Sequence, residues 1–247
     1  MEIKKQRTFW FGAVALSPLL FSYRAGAAPG DAIPAPAALF PIVNTLVVEG
    51  DSITVGVGAS SQTTTGWPAR LSELIERYQK TPVKIVNVAV SRTDAIAQQA
   101  NGPQIAAQKP DLLCILLGIN DLRQARPVTE YTAAMDKLIC DIKKGAPEAT
   151  IVLGSPTWME TYVMADPQWA RWAKGNRQIH LSYREAVRAL AAKDGCLFAD
   201  TYAAMEGKPQ LIPDTVHPND LGYQLIADRF FEALVLGRAP ATNQRKQ

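Results

Sequence analysis

The chain predicts a three-layer α/β/α domain built on a mainly parallel five-stranded sheet. Short apolar runs of strand length alternate with longer amphipathic runs from residue 42 onward, which is the alternation of a βαβ fold. The apolar runs are also rich in Val, Ile and Leu at successive positions, as in Asp111-Leu112-Leu113-Cys114-Ile115-Leu116-Leu117. A strand with no polar face needs helices on both sides.

Taken in order, the first strand covers 42–49 and runs into Gly50-Asp51-Ser52-Ile53-Thr54. A helix over 67–79 follows, with Pro68 near its start, where the missing N–H costs nothing. Strands over 83–90 and 111–117, a helix over 130–144 and a strand over 149–155 come next. The stretch Ser155 to Gly175 is less regular and carries Trp158, Tyr162, Trp169 and Trp172. A helix over 177–194, a short strand over 196–199 and a helix over 219–234 complete the pattern, the last opened by Asn219 after Pro218. No internal repeat is visible.

The ends of the chain read differently. Lys4, Lys5 and Arg7 precede a largely apolar stretch from Phe9 to Ser22, and Ala25-Gly26-Ala27 offers small residues for cleavage, so residues 1–27 read as a secretory signal peptide. Pro18 and Arg24 speak against an uncleaved anchor. Residues 28–41, with four prolines, read as an extended leader; 42–237 is the domain and 238–247 a polar tail. The expected location is periplasmic or secreted, with no stable membrane span once the signal is cut.

With 47% hydrophobic and 20% charged residues the chain has an ordinary globular composition. Lys4, Lys5, Arg7 and Arg24 against Glu2 carry the whole net charge of +3, so no basic patch remains for nucleic acid. Cys114, Cys140 and Cys196 form neither a disulfide framework nor a zinc motif. Cys114 reads as core, and a Cys140 to Cys196 bridge is left open.

Chemistry concentrates at two distant places. A serine hydroxyl becomes a nucleophile when an oriented imidazole takes its proton and an acceptor holds the imidazole's other nitrogen. Ser52 follows the first strand, and Asp214-Thr215-Val216-His217 supplies acceptor and base within three residues. The only other histidine, His180, reads as a surface or half-buried residue. One remote histidine and no cysteine cluster give no metal site, and Gly50, Gly56 and Gly58 are wrongly spaced to cradle a phosphate. No cofactor is expected. Ligands of open parallel sheets bind beyond the carboxyl ends of the strands. Ser52, Arg92 and Asn120 follow the first, second and third strands, so their loops are expected to converge there.

These residues carry a resemblance. Gly50 to Thr54, Gly118-Ile119-Asn120-Asp121 and Asp214 to His217 stand in the order of the sequence blocks of the SGNH hydrolase superfamily, the GDSL-type esterases and lipases, and Val83 to Val90 with Asn87 resembles the remaining block. The resemblance covers roughly Val43 to Ala233. It implies a flavodoxin-like fold, Ser52, His217 and Asp214 as catalytic residues, and an oxyanion hole made by the Ser52 and Arg92 backbone N–H groups and the Asn120 amide. Arg92 stands where the family has glycine. Any residue but proline keeps the N–H, yet the side chain can narrow the pocket or bring a positive charge.

Together these features point to an exported serine esterase that removes short acyl groups, acetyl foremost, from a carbohydrate or exopolysaccharide. Trp158, Trp169 and Trp172 are candidates for stacking on sugar, with packing of the segment as the alternative. Other readings are a lysophospholipase or thioesterase, an acyltransferase using the same serine, and a noncatalytic polysaccharide-assembly protein.

Overall fold

A computed structural model describes residues 40–159 and 176–237. Along the chain these form β1 (Thr45–Gly50), α1 (Ser52–Val55), α2 (Trp67–Gln79), β2 (Lys84–Asn87), α3 (Ala95–Gln98), α4 (Gly102–Ala106), β3 (Leu112–Leu116), α5 (Ile119–Arg123), α6 (Val128–Gly145) and β4 (Thr150–Gly154). Then come α7 (Asn176–Lys193), β5 (Leu197–Ala199), α8 (Thr201–Met205), a 3-10 turn (Pro209–Leu211) and α9 (Asp220–Leu236). The expected signal peptide, most of the leader, the polar tail, Trp169 and Trp172 lie outside the described residues.

All five strands are parallel, in the order β2-β1-β3-β4-β5. Val47 sits opposite Val86 on one side and Leu113 on the other, and Leu113 opposite Ile151. From β1 the chain builds first towards β2 and then reverses through β3, which puts the switch point between β1 and β3. Ser52 and Asn120 follow these two strands directly.

The core is an apolar sheet between two helical layers. Every residue of β3 is buried, as are Leu46, Val47 and Val48 of β1. In α6, Tyr131, Ala134, Met135, Leu138, Ile139 and Ile142 are buried, the three-and-four spacing that lays one stripe on the sheet. Contacts of α6 with α3, α4 and α7 make one layer, and α2 packs on α9 in the other, where Trp67 stacks on Phe230 at 4.6 Å. Pro68 lies in the first turn of α2, and the Asn219 side chain accepts the Gly222 N–H at 3.0 Å to cap α9.

Several local expectations change. Phe40, assigned by the sequence to the leader, is buried against Tyr78 and Phe231. His180, expected to be a surface or half-buried residue, is fully buried, with Nε2 at 3.3 Å from the Pro156 carbonyl and Tyr202 edge-on to its ring. Burial pushes its pKa down to about 4, against the raising effect of the Pro156 and Thr157 carbonyls. All three cysteines are free: Cys114 is buried, Cys140 exposed and Cys196 in between. Among the described residues no helix is long and apolar enough to cross a membrane.

Candidate active site

Gly50 ends β1 where a side chain cannot fit: a Cβ there would lie 2.1 Å from Thr54 Oγ1 and 2.6 Å from the Leu116 carbonyl. The chain can therefore turn tightly over β3. Asp51 then caps α1, its Oδ1 accepting the Ile53 N–H at 2.9 Å. Ser52 is thus the first residue of a four-residue helix, not part of an open loop as the sequence suggests. Its side chain faces the segment before α9.

There the two distant motifs meet. His217 Nε2 lies 2.9 Å from Ser52 Oγ, and His217 Nδ1 lies 2.6 Å from Asp214 Oδ2. The other Asp214 oxygen accepts the Val216 N–H at 3.0 Å and the His217 N–H at 2.7 Å. Partial burial raises the Asp214 carboxyl, but the hydrogen bonds from the His217 backbone and ring and from Val216 outweigh it and hold the pKa below the ordinary carboxylate value. Asp214 is therefore an anion facing the ring.

Asn120 lies in the first turn of α5, also not in a loop. Its amide is fixed from both sides: Nδ2 donates to the Thr93 carbonyl at 2.7 Å, and Oδ1 accepts from Arg123 Nη1 at 3.2 Å. Nδ2 also lies 3.5 Å from Asp51 Oδ2, at the edge of hydrogen-bond range. The amide nitrogen is thereby held on the side of the Asp51-Ser52 turn. The neighbouring Asp121 accepts the Ala95 N–H at 3.0 Å, tying α5 to the start of α3.

Arg92 follows β2 in a turn with φ +67°, the left-handed region that favours glycine. Glycine is also what the family resemblance places there. Among the described residues neither the Ser52 nor the Arg92 backbone N–H donates to a protein acceptor. The turn is carried to Asn120 by the next residue, Thr93. Ser52, His217 and Asp214 are therefore in direct contact, Asn120 reaches the side chain of Asp51 next to Ser52, and Arg92 precedes the Thr93 that Asn120 holds.

Trp158 is half-buried and lines a cavity of about 320 Å³ with Met159, Arg177, His180, Tyr202 and Glu206. None of Ser52, Asn120 or His217 lines that cavity.

Two residues escaped the sequence reading. Arg123 fixes the Asn120 amide, and Gly58 lies against the histidine: with φ +94°, a Cβ there would sit 3.0 Å from His217 Cβ and 2.7 Å from the Pro218 carbonyl. Only three-dimensional contact reveals either.

Buried acids surround the turn. Burial raises Asp51 to about 7, against the Ile53 N–H, which lowers it. Burial likewise raises Asp121 to about 6 and Glu49, in β1, to about 8. Among the described residues no group of three or more His, Cys, Asp or Glu side chains is placed to hold a metal ion.

A parallel sheet with its switch point at a serine, and a histidine and carboxylate aligned on that serine, suits hydrolysis through a serine, and the relatives make the class a carboxylic ester hydrolase of α/β architecture. The chain belongs to the GDSL-like lipase/acylhydrolase family, whose pattern matches residues 48–225. It is 28% identical over 217 residues to an acetylxylan esterase of Geobacillus stearothermophilus, covering 76% of this chain and 93% of the relative. The crystal structure of Axe2, an acetylxylan esterase of that organism, superposes with a TM-score of 0.62 at 25% identity, covering 77% of this chain and 94% of its own. A putative GDSL-like lipase of Parabacteroides merdae shares the fold, with a TM-score of 0.63 at 23% identity and coverage of 78% and 95%.

Proposed function

We propose that the protein is an exported serine esterase that removes acetyl or other short acyl groups from a carbohydrate, with Ser52 as nucleophile, His217 as general base and Asp214 as its orienting anion. The observation that carries this is the line from Ser52 Oγ through the His217 ring to Asp214, with contacts of 2.9 and 2.6 Å. His217 Nε2 takes the serine proton as Oγ attacks the ester carbonyl, then returns it to the departing alcohol oxygen. Water, deprotonated by the same nitrogen, cleaves the acyl-enzyme and restores the hydroxyl.

The negative oxygen formed at each addition is met by the Ser52 and Arg92 N–H groups and Asn120 Nδ2. One such donor is worth roughly 3–4 kcal/mol of barrier. The similarity in sequence and in fold to acetylxylan esterase of Geobacillus stearothermophilus supports a sugar ester as the substrate class. The basic and apolar N-terminal 27 residues support export.

The test is a panel of acetylated xylo-oligosaccharides, lysophospholipid and 4-nitrophenyl esters of graded length. Acetyl esters should be cleaved best, and Ser52→Ala should lose about 10⁶-fold in kcat while keeping its circular dichroism spectrum. A serine-directed phosphonate should label Ser52 alone. Full activity in the alanine variant, or labelling at another serine, would remove the nucleophile assignment.

A further inference from the structure

We propose that Arg92 binds a carboxylate on the substrate, so that the ester removed belongs to an acidic, uronate-bearing polysaccharide; this rests on the esterase reading above and narrows its substrate. The other arginines among the described residues are already engaged. Arg70, Arg77, Arg126, Arg177, Arg184, Arg188 and Arg229 each hold a carboxylate, and Arg123 donates to Asn120. Arg92 alone among the described arginines has neither hydrogen bond nor ion pair, and its side chain is exposed.

Its place makes that vacancy informative. A non-glycine residue at φ +67° carries a conformational cost that glycine would avoid. Among the described residues the left-handed non-glycine positions divide into two groups: Lys80, Lys109 and Ala125 follow the ends of α2, α4 and α5, whereas Arg92 lies in the turn that holds Asn120 and Thr215 in the turn that carries His217. Arg92 precedes Thr93, whose carbonyl accepts from Asn120 Nδ2, and its charge is felt by Arg123, which donates to Asn120 Oδ1, so the exposed guanidinium belongs to the side of the site that Asn120 occupies.

A second cation lies nearby. Arg123, half-buried beside Asn120, is near enough to feel the carboxylates of Asp51 and Asp214 as well as the opposing charge of Arg92. Asp214, the remaining carboxylate of the facing turn, is spent on His217 and Val216. A planar cation with an open fork, beside a second cation, matches a carboxylate, which a guanidinium grips through two parallel N–H bonds. An acetylated neutral sugar offers no such group; a uronic acid neighbouring the acetylated sugar does.

The test compares an acetylated xylo-oligosaccharide carrying a glucuronic acid substituent with the same acetylated oligosaccharide lacking it, on the full-length protein. Wild type should favour the acidic substrate about tenfold in kcat/KM at low salt, the size expected of a charge-assisted hydrogen bond. The preference should shrink as ionic strength rises and disappear when the uronate is methyl-esterified. Arg92→Gln should bring the ratio near one, and Arg92→Lys should keep part of it. A wild-type ratio of one on cleaved substrates, or a change in acyl-length preference alone on substituting Arg92, overturns the proposal and leaves the esterase reading standing. Cleavage of neither substrate, nor of 4-nitrophenyl acetate, overturns both.

Discussion

Asn120 can serve as an oxyanion donor only if its amide does not flip, and the two ends of the amide are held by partners of opposite kind. The Thr93 carbonyl accepts only from nitrogen, and Arg123 donates only to oxygen. Arg123 is thus a positioning residue acting through Asn120. Arg123→Ala should lower kcat about 10- to 100-fold with KM little changed, and Arg123→Lys should recover part of the loss; equal losses in KM would place its role in binding. Asp214→Asn should cost about 10⁴-fold in kcat, less than loss of the serine or histidine, because the imidazole remains but its tautomer is no longer imposed. Arg92→Gly should raise the melting free energy by about 1 kcal/mol, since φ +67° suits glycine. Proline at 92 would not isolate the N–H donor, because its ring fixes φ near −65° and would refold the turn. Thermal melts of the two variants should therefore move in opposite directions.

At the scale of elements, legibility followed length. The helices α2, α6, α7 and α9 run for 13 to 18 residues, long enough for a three-and-four repeat to declare itself. By contrast α1, α3, α4, α5 and α8 have four or five residues, too few for any period, so Ser52 and Asn120 read as loop residues although both sit in first helical turns. His180 was readable in principle: with Tyr183, Val187 and Leu190 it keeps the spacing of the buried stripe of α7. What overrode it was the ordinary preference of histidine for exposed or mixed surroundings. The motif residues were legible because their chemistry requires fixed residue types, whereas Arg123 and Gly58 matter only through neighbours distant in sequence. The element joints also yield a test. Gly58→Ala forces a Cβ against His217 and Pro218 at a left-handed φ, so both stability and kcat should fall, whereas Asn219→Ala should cost about 1 kcal/mol of stability by uncapping α9. Denaturant melts paired with ester assays separate the two outcomes.

Across the whole molecule, the sheet concentrates its unfavourable charges near the switch point, where Glu49, Asp51 and Asp121 are buried within or beside the strands that aim Ser52 and Asn120. Glu49 is the extreme case: buried in β1, with no hydrogen-bond partner for Oε1 among the described residues, and raised to about 8 by loss of hydration. Its ordinary value is 4.5, so between pH 4.5 and about 8 the folded protein holds a proton there that the unfolded chain releases. Stability from this group is then greatest at the acid end of the window and is lost as pH rises, at no more than about 1.4 kcal/mol per pH unit. This is opposite in sign to Asp214, whose lowered value favours the fold as pH rises through the acid range. Glu49→Gln removes the titration while keeping the shape. Urea melts of wild type and variant from pH 5 to 8.5 should therefore diverge, the variant gaining on wild type as pH increases; parallel profiles would mean that Glu49 stays ionised in the folded protein and that its carboxylate has a partner.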